Sequence, residues 1–249
     1  MKVALISDFH GKEEYLEKFI NAIKSESLDF IIFCGDVVKG FVRGDEWLSA
    51  RSDGRCPDKN KKEIWDSFSE DKYFYDKFFG ELDKLGLQVL VVHGNMDAPI
   101  KYFEEAVDKY PNIYNLHCAV YGWKDWVFFG FGGEITESEY EDFFVNVYPR
   151  KMIEKAFLKM KDVRLKKIFV THTPPVSRAG TEPQGYKGCE IINEIILNYK
   201  PVFHFCGHAH KARGQDKIGE TIVVNPGPLK YGYYAICDVE KKEVKFLTL

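Results

Sequence analysis

Seven side chains able to bind a metal ion stand immediately beyond short apolar runs of this chain. Asp8 and His10 follow residues 3–7, Asp36 follows 30–35 and Asn95 follows 89–94. His172 follows 168–171, and His208 and His210 follow 202–207. Carboxylate, imidazole and amide oxygen are ligands that hard and borderline divalent cations such as Mn²⁺ and Fe²⁺ accept together. Apolar runs of this length, bounded by Gly or Asp, read as strands buried on both faces. Open α/β sheets bind their ligands beyond the carboxyl ends of such strands. Five strand ends would therefore deliver these groups to one place, and the pattern predicts a metal site with ligands enough for two ions.

The order D-x-H, G-D, G-N-x-D, H, G-H-x-H resembles that of the calcineurin-like metallophosphoesterase superfamily. The likeness runs from Asp8 to His210 and on into Asn225-Pro226-Gly227, which is similar to a further motif of that family. Taken singly the blocks say little: an Asp beside Gly at a strand end is more often a turn residue, and a lone H-x-H fits a polar hairpin. Five blocks in order are a different matter. Thr171-His172-Thr173-Pro174-Pro175 and Asn225-Pro226-Gly227-Pro228 are similar to a branch of phosphoesterases related to the cyclic-nucleotide phosphodiesterases.

That resemblance implies two mixed β-sheets sandwiched between helices, a four-layer αββα arrangement. It implies that Asp8, His10, Asp36 and His210 hold one divalent ion (Mn²⁺, Fe²⁺ or similar), and that Asp36, Asn95, His172 and His208 hold a second, with Asp36 as the bridge. A hydroxide between two such ions would attack phosphorus in line, making the chain a hydrolase of phosphodiesters or phosphomonoesters. Asn95 and His208 would then also stand at the reacting phosphoryl group. One position departs from the pattern. Many members carry His after the G-N pair, where it is proposed to protonate the leaving group; here the residue is Met96, followed by Asp97. A thioether supplies no proton. Asp97 is the candidate donor if burial raises its pKa, and a purely structural part is the alternative. His93, His117 and His204 match no ligand position and are expected to be packed.

The remaining sequence must hold these strand ends in place. Length suits one domain spanning residues 1–249. Leu16, Phe19, Ile20 and Ile23 recur at helical spacing after the first strand. Ile64, Phe68, Phe78, Phe79, Leu82 and Leu85 predict a long helix, Pro99 opens a short one, and residues 152–160 and 191–199 carry two more. After Gly207 only short strands are expected. Residues 39–61 read as an irregular insertion, with one helical turn near Trp47, and residues 173–188 as a long loop of the kind that is often functional. Both follow ligand-bearing strands, so their cations Lys39, Arg43, Arg51, Arg55 and Arg178 are placed at the mouth. Arg43 and Arg178 are the candidate substrate-binding residues.

A formal charge of -3 gives no basic excess for nucleic acid. No apolar stretch approaches membrane-spanning length and no signal-peptide pattern opens the chain. The six Cys are dispersed without a CxxC pair, which disfavours a disulfide framework. A cytoplasmic protein acting on a phosphorylated small molecule or nucleotide is the expectation. A non-catalytic metal-binding scaffold of the same fold, or a nuclease, are the alternatives: the seven intact ligand positions weigh against the first, which metal analysis would separate from an enzyme, and the lack of a capping domain and of basic excess weighs against the second.

Overall fold

The computed structural model describes residues 1–249. Its first half runs β1 (Lys2–Ile6), α1 (Glu13–Ile23), β2 (Phe30–Phe33), α2 (Phe41–Ser52), α3 (Lys62–Asp83), β3 (Gln88–Val91), α4 (Ile100–Val107) and β4 (Ile113–Asn115). There follow β5 (Val120–Trp123), β6 (Trp126–Phe131), β7 (Glu134–Thr136), β8 (Val147–Pro149), α5 (Arg150–Phe157) and β9 (Lys166–Thr171). The chain ends with α6 (Glu190–Tyr199), β10 (Phe203–Phe205), β11 (Gly214–Ile218), β12 (Thr221–Asn225), β13 (Tyr233–Asp238) and β14 (Glu243–Thr248).

Two six-stranded sheets result, in the orders β14-β13-β1-β2-β3-β4 and β11-β12-β10-β9-β6-β5, with β7 and β8 as a small separate pair. In the first sheet β1 to β4 run parallel while β13 and β14 are antiparallel. In the second, β12, β10, β9 and β6 run parallel between the antiparallel edges β11 and β5. Side chains alternate across a strand, and β1 shows what that does here. Ala4 and Ile6 enter a core with Phe19, Phe78, Phe79 and Phe103, under α1, α3 and α4. Val3 and Leu5 point the other way, into a core with Ile32, Leu90, Phe128, Ile168 and Phe203 between the sheets. A third core, with Phe129, Phe157, Phe169 and Ile195, lies under α5 and α6. The expected αββα layering is the observed one. Unbroken apolar runs in β1, β2, β3 and β9 are its cause, since each strand must be apolar on both faces.

The insertion differs from expectation. Residues 41–52 form the full helix α2, not an irregular segment with one turn. Its buried face consists of Arg43, Gly44, Glu46 and Ala50, so no apolar stripe betrays it. It packs on α3 through charge. Arg43 is fully buried, donating to Asp71 Oδ2 at 2.5 Å, to Ser67 Oγ at 2.9 Å and to the Met96 carbonyl at 3.2 Å. Glu46 accepts from Arg55, Lys61 and the Asp58 N–H. The three-residue strands β4, β7 and β8 were not expected either, being too short to show a period.

Removing one partner of a buried pair strands the other charge. Asp71→Asn is therefore expected to lower unfolding free energy by about 3–5 kcal/mol, while Arg43→Met with Asp71→Leu restores much of the loss. Urea denaturation checks this; equal stability of Asp71→Asn and wild type would mean that α2 is held by something else.

Candidate metal centre

All seven ligand candidates lie beyond the carboxyl ends of parallel strands at the seam where the two sheets meet. Asp8 and His10 leave β1, Asp36 leaves β2 and Asn95 leaves β3; from the other sheet His172 leaves β9, and His208 and His210 leave β10. Asp8, His10, Asp36 and His172 form the buried floor, whereas Asn95, His208 and His210 are half-buried and make the open face.

The donor atoms fall into two overlapping groups. His210 Nε2 lies 3.2 Å from Asp8 Oδ1 and 3.4 Å from His10 Nε2. His172 Nε2 lies 3.0 Å from Asn95 Oδ1 and 3.1 Å from His208 Nδ1, which is itself 3.1 Å from Asn95 Oδ1. Asp36 joins the two: its Oδ2 stands 3.6 Å from His10 Nε2 and 3.4 Å from His172 Nε2. Its Oδ1 is turned away, accepting the Met96 N–H at 2.8 Å. Ligands about 2.1 Å from one ion at right angles are about 3 Å apart, so this spacing fits donors that share an ion. The tautomers fit as well. His10 Nδ1–H donates to the Val38 carbonyl at 3.2 Å and His172 Nδ1–H to the Cys34 carbonyl at 2.7 Å, which leaves both Nε2 lone pairs for a metal. Asn95 places its NH₂ on Met96 Sδ and its oxygen toward the imidazoles.

The backbone is bent to achieve this. Asp8, His10, Asp36 and His208 all have left-handed backbone, with φ of 53°, 45°, 65° and 63°. They are half of the eight non-glycine residues in that region. Each such residue costs of order 1–3 kcal/mol and persists only where its surroundings over-determine it. The determinant at Asp36 is Asp97. Its buried carboxylate accepts the N–H groups of Asp36 (2.9 Å), Val37 (2.9 Å), Val38 (3.1 Å) and Gly94 (2.8 Å). Gly94 approaches so closely that a Cβ there would lie 2.0 Å from Asp36 Oδ1.

Electrostatics reflect the crowding. Burial alone would raise both ligand carboxyls, but the imidazoles outweigh it: His172 and His10 hold Asp36 down to about 2, and His210, His172 and His10 hold Asp8 well below the carboxylate range. Burial would lower His172, yet Asp36 and Asp8 lift it to about 9. His10 is pulled down to about 4 by burial, against Asp36 and Asp8.

Three expectations are corrected. Asp97 lies wholly beneath the site with its oxygens engaged by backbone; although burial and Asp36 push it up to about 7, it faces loop amides and not the open face, so it is no donor to a leaving group. Arg43 is no pocket cation, being the buried partner of Asp71. Arg178 is exposed, but its guanidinium and its N–H both go to Asp216 on β11. Lys39, Arg51 and Arg55 are likewise matched, to Glu70, Glu139 and Glu46. What the sequence reading missed is Lys230, four positions after Pro226, which makes no ion pair and whose amide donates to the Asp8 carbonyl at 3.2 Å. Its place just after Asn225-Pro226-Gly227 was the available signal. Asn225 itself ties down the β10 loop through the carbonyl of Ala209, at 3.0 Å. His93, His117 and His204 are packed, bonded to Tyr148 Oη, the Gly132 N–H and Thr171 Oγ1.

The chain belongs to the calcineurin superfamily of metallophosphoesterases: the family described as "Metallophosphoesterase, calcineurin superfamily" matches residues 1–249. A curated protein of Methanocaldococcus jannaschii, described as uncharacterized, is 28% identical over 94% of this chain and 91% of its own. One crystal structure, 33% identical, superposes with a TM-score of 0.88 over 99% of this chain and 98% of its own. A dimetal phosphatase of Danio rerio shares the fold at 11% identity and a TM-score of 0.60, over 95% of this chain and 91% of its own.

Because Asp97 positions Asp36, Asp97→Asn would set an amide NH₂ against loop N–H donors. The expected result is a loss of about 1–3 kcal/mol in stability and about 10–100-fold weaker Mn²⁺ binding, read by denaturation and by metal titration. Unchanged metal affinity would show that the loop holds its shape without this carboxylate.

Proposed function

We propose that this protein is a dinuclear, divalent-metal-dependent phosphodiesterase. The observation that carries the reading is the convergence of seven donors from five strand ends, with Asp36 Oδ2 3.6 Å from His10 Nε2 and 3.4 Å from His172 Nε2, and with Asp8 grouped with His10 and His210 on one side and with Asp36 and His172 on the other. Asp8, His10 and His210 complete the first group, and Asn95, His172 and His208 the second. Two divalent ions held there would neutralise phosphoryl oxygens and bring the pKa of a water between them toward neutrality.

The chain's own residues supply orientation. The buried floor excludes water from one side, and the half-buried Asn95, His208 and His210 border the side on which a phosphoryl group can arrive. Tyr186 stands edge-on to His208, with ring centroids 4.5 Å apart, and limits how far that imidazole can turn. Phe41, the exposed first residue of α2, stacks on His10 with centroids 6.2 Å apart. The side chain at position 96 offers no proton, since the Met96 thioether has none to give and its sulfur accepts from Asn95. A leaving group must depart unaided or draw its proton from solvent, which favours esters of acidic alcohols and phenols. Mn²⁺ or Fe²⁺ suits the mixed donor set.

Two outcomes test this. Wild-type protein is expected to carry up to two transition-metal ions per chain by elemental analysis, and Asp36→Asn to lose both together. Absence of any bound or bindable metal in the wild type would end the reading. With Mn²⁺ present, kcat on aryl phosphodiesters should fall steeply as leaving-group pKa rises, because general-acid help worth about 10²–10⁴-fold is missing. A flat dependence with chemistry rate-limiting would mean that another group provides the acid.

A further inference from the structure

Beside His210 the surface opens into a recess of about 430 Å³, lined by His210, Lys211, Arg213, Tyr231 and Tyr233. Small-molecule sites are typically about 300–1,000 Å³, so the recess can take one substituent of a substrate. It adjoins the metal centre through His210, whose Nε2 is 3.2 Å from Asp8. Its lining contains two phenols and two cations, and no carboxylate.

Arg213 is held in place. Its Nε donates to the Pro226 carbonyl at 3.2 Å and one Nη2–H to the Leu247 carbonyl at 2.9 Å, while the guanidinium lies 4.4 Å from the Tyr233 ring centroid and 5.5 Å from that of Phe246. Gly227 makes room for its stem, for a Cβ there would sit 2.8 Å from Arg213 Cδ. Both acceptors are neutral carbonyls, so the guanidinium charge is not cancelled. Lys211 is exposed and forms no ion pair; the neighbouring acid is Glu182, which accepts the Lys211 backbone N–H at 3.0 Å. Lys230 stands at the rim, its ammonium 5.5 Å from the Tyr231 ring centroid and likewise without a carboxylate. None of the three has a carboxylate partner, whereas Lys39, Arg51, Arg55 and Arg178 are each paired with one.

We propose that this recess is a substrate subsite for a second anionic group and an aromatic ring of the same molecule, so that the natural substrate is a nucleotide-like phosphodiester with a negative charge beyond the scissile phosphate. The ring lies against Tyr231, and Arg213 with Lys211 meets the anion, a planar fork and a mobile point charge. The inference rests on the phosphodiesterase reading of the adjacent centre.

The test is competitive inhibition of bis-p-nitrophenyl phosphate hydrolysis by the Mn²⁺-loaded full chain at physiological ionic strength. The probes are inorganic phosphate, AMP and adenosine 3′,5′-bisphosphate. The bisphosphate is expected to inhibit about tenfold better than AMP, the worth of one charge-assisted hydrogen bond, and AMP better than phosphate. In Lys211→Ala combined with Arg213→Lys the bisphosphate advantage should fall below about twofold, and Tyr231→Ala should narrow the gap between AMP and phosphate. Should the double variant fail to fold, Lys211→Ala alone, on an exposed side chain, must still reduce the bisphosphate advantage. Equal inhibition by bisphosphate and AMP in the wild type, or an advantage that survives in the variants, overturns the subsite and leaves the phosphodiesterase standing. Absence of hydrolysis, with no probe binding in the presence of Mn²⁺ by calorimetry, overturns both.

Discussion

Asp8 and Asp36 are buried almost completely at the seam between the sheets, and neither has an Arg or Lys partner. An isolated carboxylate in such a place would take up a proton. Here His10, His172 and His210 hold both ionised, and the loops are drawn into left-handed conformations to bring those imidazoles in. The rest of the centre follows from this crowding. Imidazoles must enter from both sheets, so β1 and β2 have to end opposite β9 and β10. Loop amides must point inward, so a third carboxylate, Asp97, sits beneath to accept them. On the proposed reading, two carboxylates facing two divalent ions would leave a net charge near plus two, which an anionic phosphoryl group complements. Metal would then satisfy buried anions that neutral protein satisfies poorly, and would itself remain able to bind phosphate.

Much of this was legible because the strands that matter are buried on both faces. Residues 3–6, 30–33, 89–91 and 168–170 are apolar throughout, as strands of a doubly covered parallel sheet are, and the ligand types just beyond them then read directly. The meeting of seven side chains could be read from those strand ends, and the four layers from the family resemblance that the ligand order carries. What stayed hidden was hidden for stated reasons. α2 buries Arg43 and Glu46 in place of an apolar stripe, so hydrophobic periodicity passes over it. Lys39, Arg43 and Arg51 looked free because their partners Glu70, Asp71 and Glu139 lie elsewhere in the chain, and pairing between distant positions leaves no local trace. Lys211 and Arg213 went unremarked for the converse reason, since nothing in a sequence marks a cation that lacks a partner; for Lys230 only its place just after Asn225-Pro226-Gly227 was a signal.

The same contrast explains why Asp97 is easily misread. An acid next to G-N-M, in a chain without His at position 96, invites a catalytic reading. Its two oxygens nevertheless collect four backbone N–H donors and the Tyr75 hydroxyl, whose oxygen lies 3.4 Å from Oδ1. A carboxylate serving that many donors shapes the loop, and no oxygen of it remains for a substrate. Its elevated pKa has burial as its first cause and the Asp36 charge as its second. Divalent ions beside Asp36 would cancel much of the second, so the ionised, donor-accepting form is the one the assembled centre favours.

Met96 links these observations to the insertion. Its carbonyl accepts from buried Arg43, its amide donates to Asp36 Oδ1, and its methyl packs against Gly44 of α2. The residue that replaces an acid is thus a joint between α2 and the loop carrying Asn95. Because α2 also places Phe41 over His10, its position on α3 sets one wall of the site, while Tyr186 and the recess at Arg213 set the others. On the proposed reading, strand ends would fix where a phosphoryl group binds, and these less regular walls would decide what can be attached to it. On this account substrate preference can change through Arg43 and Asp71, which lie out of reach of any substrate, because their pairing fixes the wall from behind.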